Sequence, residues 1–178
     1  RMIEMVDDLD EIAKLESNRI ELNLQTFNLI SLTNEVIEAV EYKAKKKNIK
    51  LSISNEPSSI MVKADASKIT QVLTNLLMNS INYGKENGKT TIRFYDLAEN
   101  ILVEVKDNGK GIAEEHLPRL FERFYRVDKG RSRADGGSGL GLAIVKHILE
   151  AHQQTINVRS TLEHGSTFSF TLKNIREL

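Results

Sequence analysis

The sequence predicts an α+β domain, a two-layer α/β sandwich in which helices cover one face of a mixed, mostly antiparallel sheet. Two observations carry this prediction. Short segments of alternating apolar and polar residues lie on both sides, in sequence, of one long amphipathic helical pattern at 66–83. A second helical pattern, around 139–152, precedes two more alternating segments. A sheet with one apolar face needs helices to cover it, so we expect the helices in a separate layer.

The composition allows a sizeable core and excludes several kinds of site. The chain has 178 residues, 40% of them hydrophobic, and its 25 basic residues balance its 25 acidic ones. No net field favours nucleic acid, so we expect no nucleic-acid partner. Cysteine is absent, which excludes disulfides and cysteine-based metal sites. No apolar run is long enough for a membrane span, and because the chain opens with Arg1 we expect it to be part of a longer protein.

Residues 1–22 have the pattern of an amphipathic helix that precedes the sandwich. Met2, Met5, Leu9 and Ile12 recur at spacings of three or four residues, and acidic residues fill other faces. Such a helix either packs on its own domain or is the end of a dimerisation bundle. We favour the second interpretation because the apolar stripe begins at the first residues of the chain.

Between residues 24 and 62, the pattern predicts three short strands and one helix. Alternation predicts strands at 24–27 and 49–53, and a short apolar run predicts a third at 60–62. Ser31 is a candidate N-cap for the helix, which ends near three lysines at 45–47. We interpret these lysines as a solvated helix end, where the helix dipole favours positive charge, and not as a binding patch.

The long helix at 66–83, with Asp65 as its candidate N-cap, carries three asparagines on one face. Asn75, Asn79 and Asn82 fall within an arc of roughly 60°, since each residue of a helix advances by about 100°. Asparagine is a mediocre helix former, so three together require an explanation. A carboxamide oxygen can bind Mg²⁺ without adding negative charge beside phosphates. Hydrogen bonding to solvent or to a neighbouring helix is the alternative, and these residues alone favour it.

The segments at 91–95 and 101–105 predict an antiparallel hairpin whose second strand leads into Asp107, Gly109 and Gly111. A carboxylate at the end of a strand can accept a hydrogen bond from the amino group of a base. Glycines beside it let a ring lie against the backbone. The alternative is a plain turn that Asp107 caps.

A glycine-rich stretch at 135–148 is the feature around which the other motifs are arranged. Glycines at 136, 137, 139 and 141 precede an apolar helical run. Backbone N–H groups at glycines and at the start of a helix together form a cradle for phosphate. The preceding segment, 129–135, is cationic and hinged on glycines, as in a lid that closes over phosphates. A flexible surface loop is the alternative for both segments.

Five stretches together resemble the ATP-binding motifs of sensor histidine kinases, in the order and rough spacing of that family. Residues 71–80 resemble the N box, residues 107–112 the first glycine box and residues 120–126 the F box. Residues 137–143 resemble the second glycine box, and residues 165–168 resemble the last one. One such stretch alone is a weak indication, but several in order are a strong one.

The resemblance implies a domain organisation and a fold. Residues 23–178 would form the ATP-binding catalytic domain, with the Bergerat-type fold of the wider superfamily of gyrase, heat-shock and mismatch-repair ATPases. Residues 1–22 would be the end of the second helix of a dimerisation and phosphoacceptor hairpin. The reaction would be in-line transfer of the γ-phosphate of ATP to a histidine nitrogen, with ATP and Mg²⁺ as cofactors.

The resemblance also implies roles for individual residues. Asn79 would be the Mg²⁺ ligand and Asn75 would support it, while Asp107 would contact the adenine amino group. Arg126 would contact the γ-phosphate and would be catalytic together with Asn79. The other residues that the resemblance assigns to ATP binding are Asn82, Tyr83, Gly109, Gly111, Ile112, Gly137, Ser138, Gly139, Leu140, Gly141 and Thr167. Of these, Asn82 stands where many members of the family carry lysine.

The chain contains no histidine in a phosphoacceptor motif. Its histidines are His116, His147, His152 and His164, and we interpret each as a surface or packing residue. We therefore expect the phosphoacceptor on a dimerisation hairpin of the same or a partner chain, outside this sequence. The resemblance further implies a response regulator receiver domain as partner and a homodimeric full-length protein. It also implies a cytoplasmic domain anchored to the bacterial inner membrane.

Two other functions remain open at this stage. One is a superfamily ATPase whose domain closure drives a mechanical cycle. It would need a general-base carboxylate on the asparagine helix, yet residues 69–83 contain no aspartate or glutamate. The other is a non-catalytic nucleotide-binding or dimerisation module, in which the motifs persist without turnover.

Overall fold

The computed structural model describes residues 6–7, 9–10, 12–13, 17, 21–54, 57–128 and 139–175. The strands within these residues are β1 (Gln25–Asn28), β2 (Lys50–Ile53), β3 (Met61–Ala64), β4 (Lys89–Asp96), β5 (Asn100–Asp107), β6 (Ile156–Thr161) and β7 (Gly165–Asn174). The helices are α1 (Leu29–Lys46), α2 (Ala66–Asn82) and α3 (Gly141–Ala151), and a 3-10 helix spans Glu114–Arg119.

The strands form one mixed sheet in the order β1-β3-β7-β5-β4-β2, with β6 also paired to β7. Strands β2 and β4 are parallel, and the other pairs are antiparallel. Strand β7 is central, because one of its edges pairs with β5 and the other pairs with β6 and then β3. The observed sheet confirms the predicted mixed and mostly antiparallel arrangement.

One face of this sheet carries the core and faces the helices. Along β5, alternate residues from Ile101 to Asp107 are buried, and Phe168, Phe170 and Leu172 are buried along β7. Helix α2 packs between α1 and α3. The other face of the sheet is polar and carries an exposed ion pair between Arg159 and Glu104 at 3.2 Å. These layers confirm the predicted two-layer sandwich.

Helix α1 starts earlier than the sequence predicts. Its N-cap is Asn28, whose side-chain oxygen accepts hydrogen bonds from the N–H groups of Ile30 at 3.0 Å and Ile60 at 3.3 Å. Ser31 therefore lies inside the helix, and its prediction as the cap was wrong. Asn28 is the last residue of β1, and its side chain caps α1 and also satisfies the N–H of Ile60.

The first residues of the chain are described only in part. Among the described residues, Ile12 is buried in the domain core, whereas Val6 and Leu9 are 62% and 39% exposed. Met2 and Met5 lie outside the described residues. One member of the predicted stripe thus packs on the domain, and the interpretation of residues 1–22 as the end of a hairpin helix stays a prediction. No described helix has the length and apolarity that a membrane crossing needs.

Asp65 joins three parts of the chain that are distant in sequence. As predicted, it caps α2, and its carboxylate accepts from the N–H of Lys68 at 3.2 Å and from the N–H of Asn23 at 3.1 Å. Its own N–H donates to Nε2 of His152 at 3.0 Å, while Nδ1 of His152 donates to the carbonyl of Ile148 at 2.8 Å. His152 is thus a packing residue that connects the end of α3 to the start of α2.

Replacing His152 with alanine should destabilise the domain. The substitution leaves the N–H of Asp65 without its acceptor in a half-buried place, which costs about 1–2 kcal/mol. We expect this loss in the free energy of unfolding from urea denaturation. His164→Ala is the matched control, because His164 is exposed and its ring bonds the carbonyl of Leu162, two residues away. Equal effects of the two substitutions would contradict the assigned role of His152.

Candidate functional site

A cleft lies where α2, the end of β5, the start of β7 and the segment 120–127 meet. Its volume is about 50 Å³. The residues that line it are Asn79, Tyr83, Asp107, Gly111, Ile112, Leu120, Tyr125, Arg126, Val127, Leu142 and Ser166. One part of this lining is apolar and another carries a carboxylate, a guanidinium and a carboxamide, as in sites that bind small polar molecules.

Six of the sequence-predicted site residues meet in this cleft. They are Asn79, Tyr83, Asp107, Gly111, Ile112 and Arg126. Five come from three of the five motifs, and Tyr83 follows the N box. Asn75 lies one turn before Asn79 on α2 and donates from Nδ2 to the carbonyl of Gly141 at 3.3 Å. Asn75 thereby ties α2 to the first residue of α3. Gly109 is buried beside the cleft and donates its N–H to Asp107 at 2.9 Å.

Other predicted residues lie outside the lining. The carbonyl of Asn82 accepts from Nζ of Lys47 at 2.9 Å, and Leu140 is fully buried in the core. The carbonyl of Gly139 accepts from the N–H of Phe124 at 3.0 Å, which ties the segment 120–127 to the start of α3. Gly137 and Ser138 fall outside the described residues.

The structure places Thr167 away from the cleft and Ser166 in it. Successive side chains of a strand point to opposite faces, and on β7 the buried face carries Ser166, Phe168 and Phe170. Thr167 pairs with Lys106 and Arg159 on the polar face of the sheet. Thr167, which the resemblance assigns to ATP binding, therefore lies outside the cleft lining, and its neighbour Ser166 lies in it. The strict alternation from Phe168 contained the signal for this difference.

Sequence reasoning also missed four apolar or aromatic lining residues. They are Leu120, Tyr125, Val127 and Leu142. The OH of Tyr125 is hydrogen-bonded to Nδ1 of His116, and the guanidinium carbon of Arg119 lies 4.6 Å from the centre of the tyrosine ring. The 3-10 helix thus holds this ring against the cleft. No periodicity marks Leu120, Tyr125 and Val127, because the segment 120–127 is irregular, whereas Leu142 lies in the first turn of α3.

Asp107 is a buried carboxylate at the end of β5, with only 6% of its surface exposed. Its burial raises the pKa of the carboxyl above the ordinary value, while hydrogen bonds from the N–H groups of Gly109 and Ser166 act to lower that pKa. Two backbone donors thus hold the carboxyl in one orientation. The carboxyl retains acceptor capacity that can face a ligand in the cleft.

Two glycines beside Asp107 are required by close backbone contacts. Gly111 has φ +71°, and a Cβ there would lie 2.1 Å from the carbonyl oxygen of Thr161. Gly165 has φ +110°, and a Cβ there would lie 2.0 Å from the carbonyl oxygen of Asp107. Gly141 differs, since the nearest atom to its Cβ would be Cγ of Asn75 at 3.8 Å. A Cβ at Gly141 would therefore make ordinary van der Waals contact with Asn75 and would not clash with it.

The Nε of Arg126 is buried and has no hydrogen-bond partner among the residues that the structure describes. Buried donors without partners are rare in native proteins, and one that lines a cleft indicates a site for an acceptor. A guanidinium carries a permanent positive charge, so the acceptor that fits best is an anion such as phosphate.

A metal ion in this cleft would need ligands other than a protein cluster. Across the described ranges, no group of three or more His, Asp or Glu side chains is placed to hold a metal. Asn79 offers one carboxamide oxygen to the cleft. That donor set fits Mg²⁺, which is typically held by one or two protein oxygens together with phosphate oxygens and waters.

Gly111 and Gly141 should respond differently to substitution by alanine. Gly111→Ala should lower the free energy of unfolding by about 1–3 kcal/mol or more, because it combines a positive φ with a backbone clash. Gly141→Ala should leave the stability unchanged or raise it by up to about 1 kcal/mol, since a Cβ there would make only ordinary van der Waals contact and the residue is helical. Urea denaturation of both variants measures this. Destabilisation by Gly141→Ala that equals the loss at Gly111 would contradict the absence of a clash between a Cβ at Gly141 and the described residues.

Comparison with known proteins finds similarity along most of the chain. The family of histidine kinase-, DNA gyrase B- and HSP90-like ATPases matches residues 64–176. The chain is 36% identical to sensor histidine kinase WalK of Bacillus subtilis, over 97% of this chain and 28% of WalK. It is 37% identical to sensor-like histidine kinase SenX3 of Mycobacterium bovis, over 99% of this chain and 43% of SenX3. The chain thus spans less than half the length of these two relatives.

Solved structures are similar to this one across the same residues. The catalytic domain of histidine kinase ThkA superposes with a TM-score of 0.73 and 32% identity, over 86% of this chain and 97% of that one. Full-length ShkA in complex with AMPPNP gives a TM-score of 0.86 at 26% identity, over 99% of this chain and 37% of that one. ThkA in complex with the response regulator TrrA gives 0.79 at 29% identity, over 98% of this chain and 48% of that one. These likenesses confirm the predicted Bergerat-type fold.

Proposed function

Because the chain belongs to the histidine kinase-, DNA gyrase B- and HSP90-like ATPases, and within them to the histidine kinase catalytic domains, we propose that its cleft binds Mg²⁺-ATP for phosphoryl transfer to a histidine. The observation that carries this proposal is the meeting of Asp107, Asn79 and Arg126 in one cleft. The carboxylate of Asp107 can accept from the amino group of a base, the carboxamide of Asn79 can bind a metal ion, and the guanidinium of Arg126 can bind a phosphate.

Asp107 binds the adenine in this proposal. Its buried carboxylate is held by two backbone N–H groups and accepts from the 6-amino group of the base. Tyr83, Ile112 and Leu142 supply neighbouring surface for the ring. The same pocket excludes water from the base, which strengthens the hydrogen bond between carboxylate and amine.

Asn79 and Arg126 act on the phosphates. Asn79 would hold Mg²⁺, and a bound ion supplies neutralisation of the charge on the phosphate oxygens. Arg126 offers its unpaired Nε–H to the γ-phosphate, where it orients the group and offsets negative charge. The backbone at Gly139 and Gly141, with Gly137 and Ser138 before them, would donate N–H groups to the phosphates at the start of α3.

The rest of the proposal concerns the longer protein. Residues 23–178 form the catalytic domain, and residues 1–22 continue the second helix of a dimerisation hairpin that carries the phosphoacceptor histidine. The partners are a response regulator receiver domain and the hairpin of the same or a partner chain in a homodimer, with the full-length protein anchored in the bacterial inner membrane. Support comes from the similarity to sensor kinases and to the ThkA–TrrA complex.

Calorimetric titration of this chain with a non-hydrolysable ATP analogue, with and without Mg²⁺, tests the proposal. We expect Mg²⁺-dependent binding and weaker binding of the GTP analogue. A positive result leads to a second step, in which a separate hairpin that carries a histidine is added and its phosphorylation by ATP is measured. Absence of nucleotide binding in both conditions would overturn the proposal.

Asn79→Ala should weaken the binding of Mg²⁺-ATP much more than the binding of metal-free ATP. The substitution removes the protein's metal ligand and leaves the base and phosphate contacts in place. Parallel titrations in Mg²⁺ and in EDTA measure the difference. Asn157→Ala is the control, because Asn157 is exposed on β6. An equal loss in both conditions would show that Asn79 does not bind the metal.

Asp107→Asn should weaken the binding of ADP by about tenfold or more. The amide presents a donor where the carboxylate presented only acceptors, and a hydrogen bond to a charged group is worth about 1.5–3 kcal/mol. Titration with ADP measures the affinity, and a melting curve verifies that the variant is folded. An unchanged affinity for ADP in the folded variant would remove Asp107 from the site.

A further inference from the structure

Ser160, on β6, connects the loop after β5 to the start of β7. Its Oγ accepts from the N–H of Ile112 at 2.7 Å and donates to the carbonyl oxygen of Gly165 at 3.0 Å. The same oxygen lies 2.8 Å from Oγ of Ser166. Ser160 itself is outside the cleft, whereas Ile112 and Ser166 both line it.

The hydrogen-bond capacity of Ser160 determines the direction of its bond to Ser166. A hydroxyl has one proton and two lone pairs. The N–H of Ile112 can only donate, and the carbonyl of Gly165 can only accept. Ser160 donates its proton to the carbonyl of Gly165 and uses one lone pair to accept from the N–H of Ile112. One lone pair is left, so Ser166 must be the donor of the bond between the two hydroxyls.

This direction fixes what Ser166 offers to the cleft. Because the proton of Ser166 points at Ser160, the Ser166 hydroxyl can only accept a hydrogen bond from a ligand. Asp107 lies beside it, and the N–H of Ser166 donates to the Asp107 carboxyl. At this place the cleft therefore presents two neighbouring acceptors, the Asp107 carboxyl and the Ser166 hydroxyl oxygen, and the Ser166 hydroxyl is not a donor there.

We propose that Ser160 is a positioning residue that orients the Ser166 hydroxyl as an acceptor and thereby makes the cleft select a purine with an amino group at C6. A 6-amino group carries two hydrogens, which two adjacent acceptors can share. A 6-oxo group carries only lone pairs and is repelled by both acceptors. This inference rests on the proposed function of the cleft as a nucleotide site.

The test compares ADP, which has an amino group at C6, with inosine diphosphate, which has a carbonyl group there. Calorimetry on the wild-type chain should give a clear preference for ADP. In Ser160→Ala the Ser166 proton is free to turn into the cleft, so the ratio of the two affinities should fall by about tenfold. This estimate corresponds to the reversal of one hydrogen bond. Ser169→Ala is the control, since Ser169 lies on β7 outside the cleft lining and faces Glu104 and Asn157 across the sheet.

A double-substitution cycle separates orientation from a purely structural role. In Ser166→Ala the hydroxyl is gone, so adding Ser160→Ala should no longer change the ADP to inosine diphosphate ratio. Melting curves establish that each variant is folded. If Ser160→Ala lowers both affinities equally, or still changes the ratio in the Ser166→Ala background, the inference is overturned. If the wild-type chain binds neither nucleotide, the proposed function of the cleft is wrong. This outcome differs from the two outcomes that contradict only the role of Ser160.

Discussion

The contact on which the cleft depends is the close packing of the loop after β5 against the turn between β6 and β7. The backbone at Gly111 meets the carbonyl of Thr161, and the backbone at Gly165 meets the carbonyl of Asp107, at distances that admit no Cβ. Contact this close lets Ser160 reach the N–H of Ile112 and lets Ser166 reach the Asp107 carboxyl. A buried carboxylate is costly unless donors surround it. The two glycines thus make the burial of Asp107 feasible.

Local signals in the sequence were sufficient to predict an element whose cap and apolar face are both set by residues within or next to it. Helix α2 has its cap at Asp65 and its apolar stripe in 3.6-residue spacing, so its start and its face follow from neighbouring residues. The same reasoning placed Asn79 and Asp107 in one cleft only with the help of the family resemblance. At Asn28 the local pattern misled, because the better cap also satisfies Ile60, which is 32 residues away.

The remaining features depend on contacts between distant parts of the chain, which no periodicity reveals. Ser160 and Ile112 are 48 residues apart, and Asp65 and His152 are 87 residues apart. Thr167 and Ser166 are adjacent, yet only the face that each presents decides which one reaches the cleft. Tyr125 lies in an irregular segment, so its place against the cleft follows from His116 and Arg119 and not from a repeat.

The narrowness of the cleft has a consequence for how binding constants are interpreted. Sites for ligands of drug size have volumes of about 300–1,000 Å³, whereas this one has about 50 Å³. A nucleotide bound as we propose needs more room than this, so the cleft has to widen when the ligand enters. The observed dissociation constant is then the intrinsic one divided by the fraction of molecules that are open. Affinity in this domain thus reports on an internal equilibrium of the protein as well as on contacts with the ligand.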